Sequence, residues 1–200
     1  AVECKFRNDE DAKISVTTPM YFKSRVTDVT GIEYPFFNAH RQFTDGWLVT
    51  NAYLTKNGIP WFPIMGEIHY SRYPAQYWKE SLLKMKAGGV DVVSSYVIWI
   101  HHEEIEGQLD FTGDRDLRRF VETCAECGLS LMLRIGPWSH AEVRNGGFPD
   151  WLLSKSFAPR SNDPEYLETV DRFYRSIFAQ VKGLMLGDAL AGKDGPGGPI

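Results

Sequence analysis

The chain has 200 residues, of which 43% are apolar and 24% are charged. This is the composition of an ordinary globular protein and excludes wholesale disorder. The formal net charge of −4 gives no support for nucleic acid or an anionic membrane as a partner, since both favour a basic surface. No apolar segment approaches the roughly 20 residues that a membrane span needs. We therefore expect a folded protein with neither of these partners.

Residues 1–60 show no clear periodicity. Strand-like segments at Ile14–Thr17 and Trp47–Leu54 lie among Pro, Gly and Asn residues. Asn57-Gly58 is typical of a tight turn, because both residues tolerate positive φ. We predict an N-terminal arm over residues 1–46 and a hairpin that leads into a second region, residues 47–200.

From about residue 61, a short apolar segment followed by a helical pattern occurs three times. The predicted strands are Phe62–Ile68, Val90–Ile100 and Leu129–Ile135. The predicted helices begin at Pro74, at about Asp114 and at Asp163-Pro164, where proline suits the first turn and aspartate suits the cap. Gly88-Gly89 and Gly128 predict the ends of the first two helices. Pro199-Ile200 resembles the first step of a fourth strand.

Each predicted helix has an apolar face at helical spacing. The three faces consist of Trp78, Leu82 and Met85; of Leu117, Phe120, Val121 and Cys124; and of Val170, Phe173, Tyr174, Ile177, Val181 and Leu184. Strands that alternate with such helices predict an α/β fold with a parallel sheet. The pattern alone fits part of a barrel or a doubly wound open sheet. No Gly-x-Gly-x-x-Gly follows the first strand, so a dinucleotide-binding version is poorly supported.

Two of the three cysteines, Cys124 and Cys127, have C-x-x-C spacing. They fall near the end of a predicted helix, whereas a thioredoxin-type pair lies at a helix start. A zinc site would need two more ligands nearby. We interpret this pair as structural.

Polar and aromatic side chains gather after all three predicted strands, which is where parallel α/β folds place their function. These residues are Glu67, His69, Tyr70, Ser71 and Arg72; Tyr96, Trp99, His101, His102 and Glu103; and Trp138, Ser139, His140, Glu142, Arg144 and Asn145. A sugar explains the mixture, because its hydroxyls need donors and acceptors and its apolar face packs on aromatic rings. The aromatic content by itself is explained as well by a packed core.

A metal site is the competing interpretation of these side chains. Its candidate ligands are His69, His101, His102, Glu103 and His140. Neighbouring residues on a predicted strand point to opposite faces, so His101 and His102 cannot easily share one metal. No His-Glu-x-x-His pattern is present. We predict no metal and no cofactor, and for each single histidine a structural role is the simpler interpretation.

Three segments resemble, in order, the first three β/α units of glycoside hydrolase family 35, the β-galactosidase family. They are Gly66-Glu67-Ile68-His69-Tyr70-Ser71-Arg72 with Leu83-Lys84-Met85-Lys86-Ala87-Gly88-Gly89; Tyr96-Val97-x-Trp99 with His102-Glu103; and Leu133-Arg134-x-Gly136-Pro137 with Ala141-Glu142 and Gly146-Gly147-Phe148-Pro149. The resemblance covers about residues 47–200. It implies that this region is the N-terminal part of a (β/α)₈ TIM-barrel catalytic domain, with strand four beginning at the end of the chain.

The resemblance also implies a retaining exo-hydrolase that removes terminal β-D-galactosyl residues from glycans by means of two glutamates. In the family, both catalytic glutamates lie on later strands, so we expect neither in this chain and place both beyond Ile200. Tyr96, His140, Ala141 and Glu142 match the family's galactose-contacting positions, and Glu142 matches a position that holds sugar hydroxyls. An exported location, whether periplasmic, extracellular or lysosomal, is also implied by resemblance. Nothing in the sequence indicates an oligomeric state.

The sequence departs from the family pattern at the sugar-facing rim. Trp138, Ser139 and His140 stand where Tyr, Ile or Val, and Cys are common, and Ile100 stands where Asn is usual. His140 is larger than Cys and can donate or accept a hydrogen bond, which could reshape the sugar subsite. Because these departures concern the exact sugar and linkage, one alternative to the β-galactosidase hypothesis is a related exo-β-glycosidase that acts on another sugar. The other alternative is a catalytically silent carbohydrate-binding relative, which would keep the pocket and lack the chemistry.

Overall fold

The computed structural model describes residues 41–43, 47–49, 53–56, 58–185 and 199–200. The chain divides into two compact units between Phe62 and Pro63. Within the described ranges, no helix is both long and apolar enough to cross a membrane. The predicted strand at Ile14–Thr17 lies outside the described residues. The predicted boundary between residues 46 and 47 stays a prediction, because residues 44–46 are outside them as well.

The N-terminal unit contains an antiparallel sheet of four short strands in sequential order. The strands are β1 (Arg41–Phe43), β2 (Trp47–Val49), β3 (Leu54–Lys56) and β4 (Ile59–Trp61). The predicted hairpin is confirmed, since β3 and β4 pair in register from Leu54↔Trp61 to Lys56↔Ile59. Gly58 in the connecting turn has φ 77°, a conformation that glycine adopts at little cost.

The C-terminal unit contains a parallel sheet of three strands in the order β5-β6-β7. These strands are β5 (Met65–Glu67), β6 (Val92–Tyr96) and β7 (Ser130–Arg134). The predicted α/β fold with a parallel sheet is confirmed by the pairing of β6 with both neighbours. All five residues of β6 are buried, as expected for a central parallel strand covered on both faces.

Five α-helices follow and connect these strands in the described region. They are α1 (Trp78–Ala87), α2 (Trp99–His102), α3 (Leu117–Glu126), α4 (Asp150–Leu153) and α5 (Pro164–Val181). The start of α5 is as predicted, because the Asp163 side chain accepts a hydrogen bond from the Glu165 backbone N–H at 3.0 Å. The first long helix begins later than predicted, since a 3₁₀ turn at Ala75–Tyr77 separates Pro74 from α1.

The prediction that the second strand continues to Ile100 is wrong. The strand ends at Tyr96 and the helical turn α2 begins at Trp99. Trp99 stacks on Phe173 of α5, with ring centroids 4.6 Å apart and planes 6° apart. Burial of this large ring between the helices outweighs the strand preference of the Val and Ile residues around it.

The core lies between the sheet and the helices α1, α3 and α5. The predicted apolar faces supply it: Trp78, Leu82, Leu117, Phe120 and Phe173 are all at most 1% exposed. Met85 and Tyr174, which were predicted for the same faces, are partly buried and pack against the edge of this core.

The C-x-x-C pair belongs to the core. Cys124 and Cys127 are free, buried thiols at the end of α3. Burial raises the pKa of the Cys124 thiol to about 12 and also raises that of Cys127. Protonated, buried thiols are poor nucleophiles and poor metal ligands, which agrees with the structural interpretation.

Pro199 and Ile200 lie beside the sheet, and their prediction as the start of a fourth strand stays a prediction. The Pro199 carbonyl accepts a hydrogen bond from the Leu131 backbone N–H of β7 at 2.7 Å. These two residues form no named strand themselves.

Candidate functional site

The carboxyl ends of the three parallel strands bring four polar side chains together. Glu67 ends β5, His69 follows it, Tyr96 ends β6 and Arg134 ends β7. The register pairs Tyr96 directly with Arg134, which places their side chains next to each other. We call Glu67, His69, Tyr96 and Arg134 the strand-end network.

Arg134 is the centre of the strand-end network. Its Nη1 donates to Glu67 Oε2 at 2.5 Å, and its Nη2 donates to the Tyr96 hydroxyl. Its guanidinium carbon lies 3.6 Å from the centroid of the Tyr96 ring, within the range of a cation–π contact. One guanidinium thus connects all three strands through side chains.

His69 connects the first two strands from the other side of Glu67. Its Nε2 lies 3.1 Å from Glu67 Oε1, and its Nδ1 accepts a hydrogen bond from the Tyr96 backbone N–H at 3.4 Å. Burial lowers the pKa of His69, against the opposing effect of the Glu67 carboxylate. The ring is therefore neutral at pH 7, with its proton on Nε2 facing Glu67.

The rim segment, which we define as residues 138–142, follows β7 and is held by Arg72 from the loop after β5. Arg72 donates to the carbonyl oxygens of Ala141 and Glu142, at 2.5 and 3.3 Å. Ala141 is buried in a small apolar cluster with Tyr96 and Ile98. Two of the sequence-predicted sugar contacts, Tyr96 and Ala141, are thus brought into one place.

The other two predicted sugar contacts are exposed on the rim segment. Glu142 has φ 42°, an unusual conformation for a residue with a side chain and one that often marks a functional turn. His140 is exposed, and its ring lies edge-on to Trp138 with centroids 6.4 Å apart. The structure therefore leaves a carboxylate and an imidazole accessible beside the strand-end network.

A glycine turn at Gly146 contacts the rim segment through both a hydrogen bond and side-chain packing. The Ser139 backbone N–H donates to the Gly146 carbonyl at 2.7 Å, and Gly146 has φ 60°. A Cβ at Gly146 would lie 2.3 Å from the Trp138 ring, so only glycine allows this ring to pack there. The ring of Phe148 lies edge-on to the Trp138 ring, with ring centroids 5.3 Å apart.

His102 was a candidate ligand by sequence, but it is a core residue. The Tyr70 hydroxyl lies 2.6 Å from its Nε2, and its Nδ1 lies 2.8 Å from the Asp110 carbonyl. Because a carbonyl can only accept, the proton is on Nδ1 and Nε2 accepts from Tyr70. Burial lowers the pKa of His102 to about 4. The ring is a neutral structural element packed on Phe111, with centroids 4.5 Å apart.

Glu103 is likewise structural. Its carboxylate is fully buried and accepts from the Trp99 indole, the Gly107 backbone N–H and the Arg172 guanidinium, at 2.7 to 2.8 Å. A buried carboxylate that is satisfied in this way connects α2, the following loop and α5. All three of these contacts are to residues outside the strand-end network.

The argument that His101 and His102 point to opposite faces of a strand is wrong, because both lie on α2. The two residues still diverge: His101 Nδ1 lies 2.9 Å from the Ser71 hydroxyl, whereas His102 points into the core. Across the part of the chain that the structure describes, no group of three or more His, Cys, Asp and Glu residues could hold a metal ion.

Two concavities lie away from the rim segment. One of about 330 Å³ separates α1 from α3 and is lined by Lys79, Arg119 and Glu126, among others. The second, of about 280 Å³, lies along the loop after α2 and includes His101, Asp110 and Arg115. Neither lining includes a residue of the strand-end network or of the rim segment.

Sequence reasoning did not single out Arg134 or Arg72 as organisers of the site. Both were visible only as members of family-like motifs or of a polar cluster. A usable signal in the sequence was the position of Arg134 near the carboxyl end of the predicted strand Leu129–Ile135. Only the three-dimensional contacts identify Glu67 and Tyr96 as its partners.

Comparison with known proteins identifies the family. The sequence matches the model of Glycosyl hydrolases family 35 over residues 53–194. This match spans most of the chain, including all three parallel strands. The chain belongs to glycosyl hydrolases family 35. The resemblance inferred from the motifs is therefore confirmed.

Similar proteins of known name are β-galactosidases. The chain is 44% identical over 131 residues to the β-galactosidases of Mus musculus and Homo sapiens. The matched segment covers 65% of this chain, 20% of the Mus musculus protein and 19% of the Homo sapiens protein. It is 38% identical over the same length to that of Xanthomonas manihotis, covering 22% of that protein. The chain therefore spans about a fifth of the length of these family 35 relatives.

Two of the solved structures that overlap with the chain are an exo-β-1,4-mannosidase and a GH5_18 protein. An exo-β-1,4-mannosidase from Opitutaceae bacterium strain TAV5 overlaps with a TM-score of 0.49 at 20% identity, covering 62% of this chain and 22% of that one. A GH5_18 protein from Streptomyces cattleya in complex with GlcNAc overlaps with a TM-score of 0.49 at 16% sequence identity. That overlap covers 60% of this chain and 30% of the Streptomyces cattleya chain.

Proposed function

We propose that this chain is part of a retaining exo-glycosidase that hydrolyses terminal β-D-galactosyl residues from glycans. The observation that carries the proposal is the combination of family 35 membership with a polar cluster at the carboxyl ends of three parallel strands. We propose further that residues 47–200 are the first part of a (β/α)₈ barrel. In such barrels, binding and catalysis take place at this end of the strands.

The role that we assign to this segment is to hold the substrate. Tyr96 offers a hydroxyl, Glu142 an exposed carboxylate, His140 an exposed imidazole and Ala141 a backbone position next to Tyr96. Sugar hydroxyls are recognised by such a mixture of donors and acceptors, and bonds to a charged group are the strongest. Arg72 fixes the backbone of Ala141 and Glu142 before the substrate arrives, which lowers the entropic cost of binding.

The two catalytic glutamates of the proposed mechanism lie outside this chain. In retaining glycosidases, one carboxyl group protonates the leaving oxygen and the other attacks the anomeric carbon, with the two roughly 5–5.5 Å apart. Glu67, Glu103 and Glu142 do not fill these roles. Glu67 is paired with Arg134, Glu103 is buried, and we assign Glu142 to sugar binding.

The test uses the full-length protein that contains this segment. We expect hydrolysis of 4-nitrophenyl β-D-galactoside, with the β-anomer of galactose appearing first in the ¹H NMR spectrum. Turnover of the corresponding β-glucoside or β-mannoside alone would mean an exo-β-glycosidase for another sugar. Binding of galactose by calorimetry without any turnover would indicate a catalytically silent carbohydrate-binding relative.

A further inference from the structure

We infer that Arg134 is a positioning residue that makes Tyr96 a hydrogen-bond donor towards the substrate. This inference rests on the proposed function, because it assumes that Tyr96 faces a sugar. It adds a direction to that contact: Tyr96 donates its hydroxyl proton to an acceptor atom of the ligand. It also identifies Arg134 as the residue that sets the direction of the hydrogen bond.

The chemistry of arginine decides the direction of the hydrogen bond. A guanidinium has five N–H donors, no acceptor, and keeps its charge at any relevant pH. In the contact between Arg134 Nη2 and the Tyr96 hydroxyl, the phenol oxygen must therefore accept. The hydroxyl proton then points elsewhere. Among the described residues, the Tyr96 hydroxyl has no acceptor for that proton, so it is available to a ligand oxygen.

The position of Arg134 is fixed by three contacts. Its Nη1 is bound to the Glu67 carboxylate at 2.5 Å, its Nη2 is bound to Tyr96, and its planar group lies 3.6 Å from the centroid of the Tyr96 ring. A planar fork held at both nitrogens cannot rotate away without breaking a charge-assisted bond. Arg134 thus keeps donating to the Tyr96 oxygen, which favours donation of the Tyr96 hydroxyl proton to the ligand.

Glu67 is itself held in place. His69 Nε2 lies 3.1 Å from its Oε1, and the Ser94 hydroxyl donates to its Oε2 at 3.4 Å. The side chain of Tyr96 is almost completely buried, at 3% exposure. The chain of contacts from His69 through Glu67 and Arg134 to Tyr96 therefore leaves the Tyr96 hydroxyl proton without an acceptor among the described residues, in a group with little freedom to rearrange.

The test compares two sets of galactose analogues as competitive inhibitors of full-length protein. One set lacks a single hydroxyl, and the other carries fluorine in its place. A C–F group accepts a hydrogen bond weakly and cannot donate one. If Tyr96 donates, then at one sugar position the fluoro analogue inhibits better than the deoxy analogue. The Tyr96→Phe variant should abolish this difference at that position alone.

Arg134→Met is the decisive variant. We expect its kcat/KM to fall by about 10- to 100-fold, because a charge-assisted hydrogen bond is lost. We also expect the difference between the fluoro and deoxy analogues to become smaller, because the Tyr96 hydroxyl remains but is no longer directed towards the ligand. The further effect of Tyr96→Phe should be much smaller in the Arg134→Met background than in the wild-type protein. A purely structural role would leave both of these patterns intact.

Arg175→Met is the matched control, since Arg175 is an exposed arginine on α5 with a single ion pair to Asp171. It should retain the wild-type inhibition pattern. If Arg134→Met fails to fold, Glu67→Gln tests the same network, because it keeps Arg134 but weakens its anchor. That variant should reduce the difference between fluoro and deoxy analogues without abolishing it.

The outcomes separate this inference from the proposed function. If the wild-type protein neither binds nor hydrolyses galactosides, the proposed function is wrong. If the wild-type protein is active but Arg134→Met or Glu67→Gln retains the full difference between fluoro and deoxy analogues, the role of Arg134 is refuted. Deoxy and fluoro analogues that inhibit the active wild-type protein equally at every position would refute the donor role of Tyr96.

Discussion

Glu142 is the residue whose side chain is best placed to bind a ligand with its charge. It is exposed on the rim segment, and its backbone is held by Arg72 at φ 42°. Glu142→Gln keeps the shape and removes the charge, so a charge-assisted bond worth about 1.5–3 kcal/mol is weakened. We expect kcat/KM of the full-length protein for aryl β-galactosides to fall by about tenfold or more, with an unchanged melting temperature.

The matched control is Glu168→Gln, which makes the same change at an exposed position on α5. It should leave kcat/KM as in the wild-type protein. Equal activity of wild-type protein and Glu142→Gln would remove Glu142 from the proposed sugar site.

His102 makes the stability of the fold depend on pH. Its pKa of about 4 lies below the ordinary value of 6.5, because the ring is buried. The unfolded chain therefore binds more protons than the folded chain between these two values. The stabilisation is fully present above pH 6.5 and is lost as the pH falls towards 4, by about 3 kcal/mol in all.

His102→Gln should remove this dependence while retaining a donor and an acceptor for Asp110 and Tyr70. We expect the variant to melt lower at pH 7 but to lose less of its melting temperature between pH 7 and pH 5 than the wild-type protein. The exposed His140 provides the control, since His140→Gln should keep the wild-type dependence. An identical pH profile for His102→Gln would show that His102 is not the titrating group.

At the scale of elements, the glycine turn below the rim segment positions Trp138. Gly146→Ala forces a side chain into the space occupied by the Trp138 ring, 2.3 Å from its nearest atom. Displacement of the rim segment by about 1 Å can lower activity by about 100-fold. We expect kcat/KM for aryl galactosides to fall at least tenfold, measured at a temperature where the variant is folded.

Gly113→Ala separates this clash from the cost of the backbone conformation. Gly113 has φ 57°, close to the 60° of Gly146, but a Cβ there would meet nothing within 4 Å. Both variants carry the penalty of a left-handed residue, about 1–2 kcal/mol. Only Gly146→Ala should lose activity; a comparable loss in Gly113→Ala would mean that the effect is general destabilisation.

Local sequence patterns predicted some ends of helices and strands correctly and failed at others. Capping chemistry predicted the start of α5, since Asp163 and Pro164 act within one turn of the chain. The end of β6 was not predicted, because the Val and Ile residues before Ile100 have the same apolar character in a strand and in a buried turn. The stacking of Trp99 on Phe173 decides between them, and those residues are far apart in sequence.

At the scale of the whole molecule, the described sheet has three parallel strands. Several large apolar side chains of this region are exposed, including Met65, Met132 and Phe178 at 43% to 54%. Parallel sheets are normally covered on both faces and protected at their edges. We propose that further β/α units of the longer protein cover these surfaces.

The isolated 200-residue chain should therefore not hydrolyse 4-nitrophenyl β-D-galactoside, whereas the full-length protein should. The proposed catalytic pair is outside the chain, and loss of one catalytic group from an enzyme of this kind removes several orders of magnitude of rate. Measurable turnover by the purified chain, at a rate unaffected by further purification, would place the catalytic residues within it.

The sequence by itself determined the family, the alternation of strands and helices, the cap of α5 and the apolar faces, because these depend on short motifs and on spacing along the chain. It also indicated Tyr96 and Glu142 as ligand-facing positions, through motifs that the family shares. The tertiary structure alone decided that His102 and Glu103 are buried structural groups and that Arg134 connects Glu67 to Tyr96. The physical reason is that hydrogen-bond partners and burial depend on residues brought together from different strands, and one-dimensional patterns do not encode these contacts.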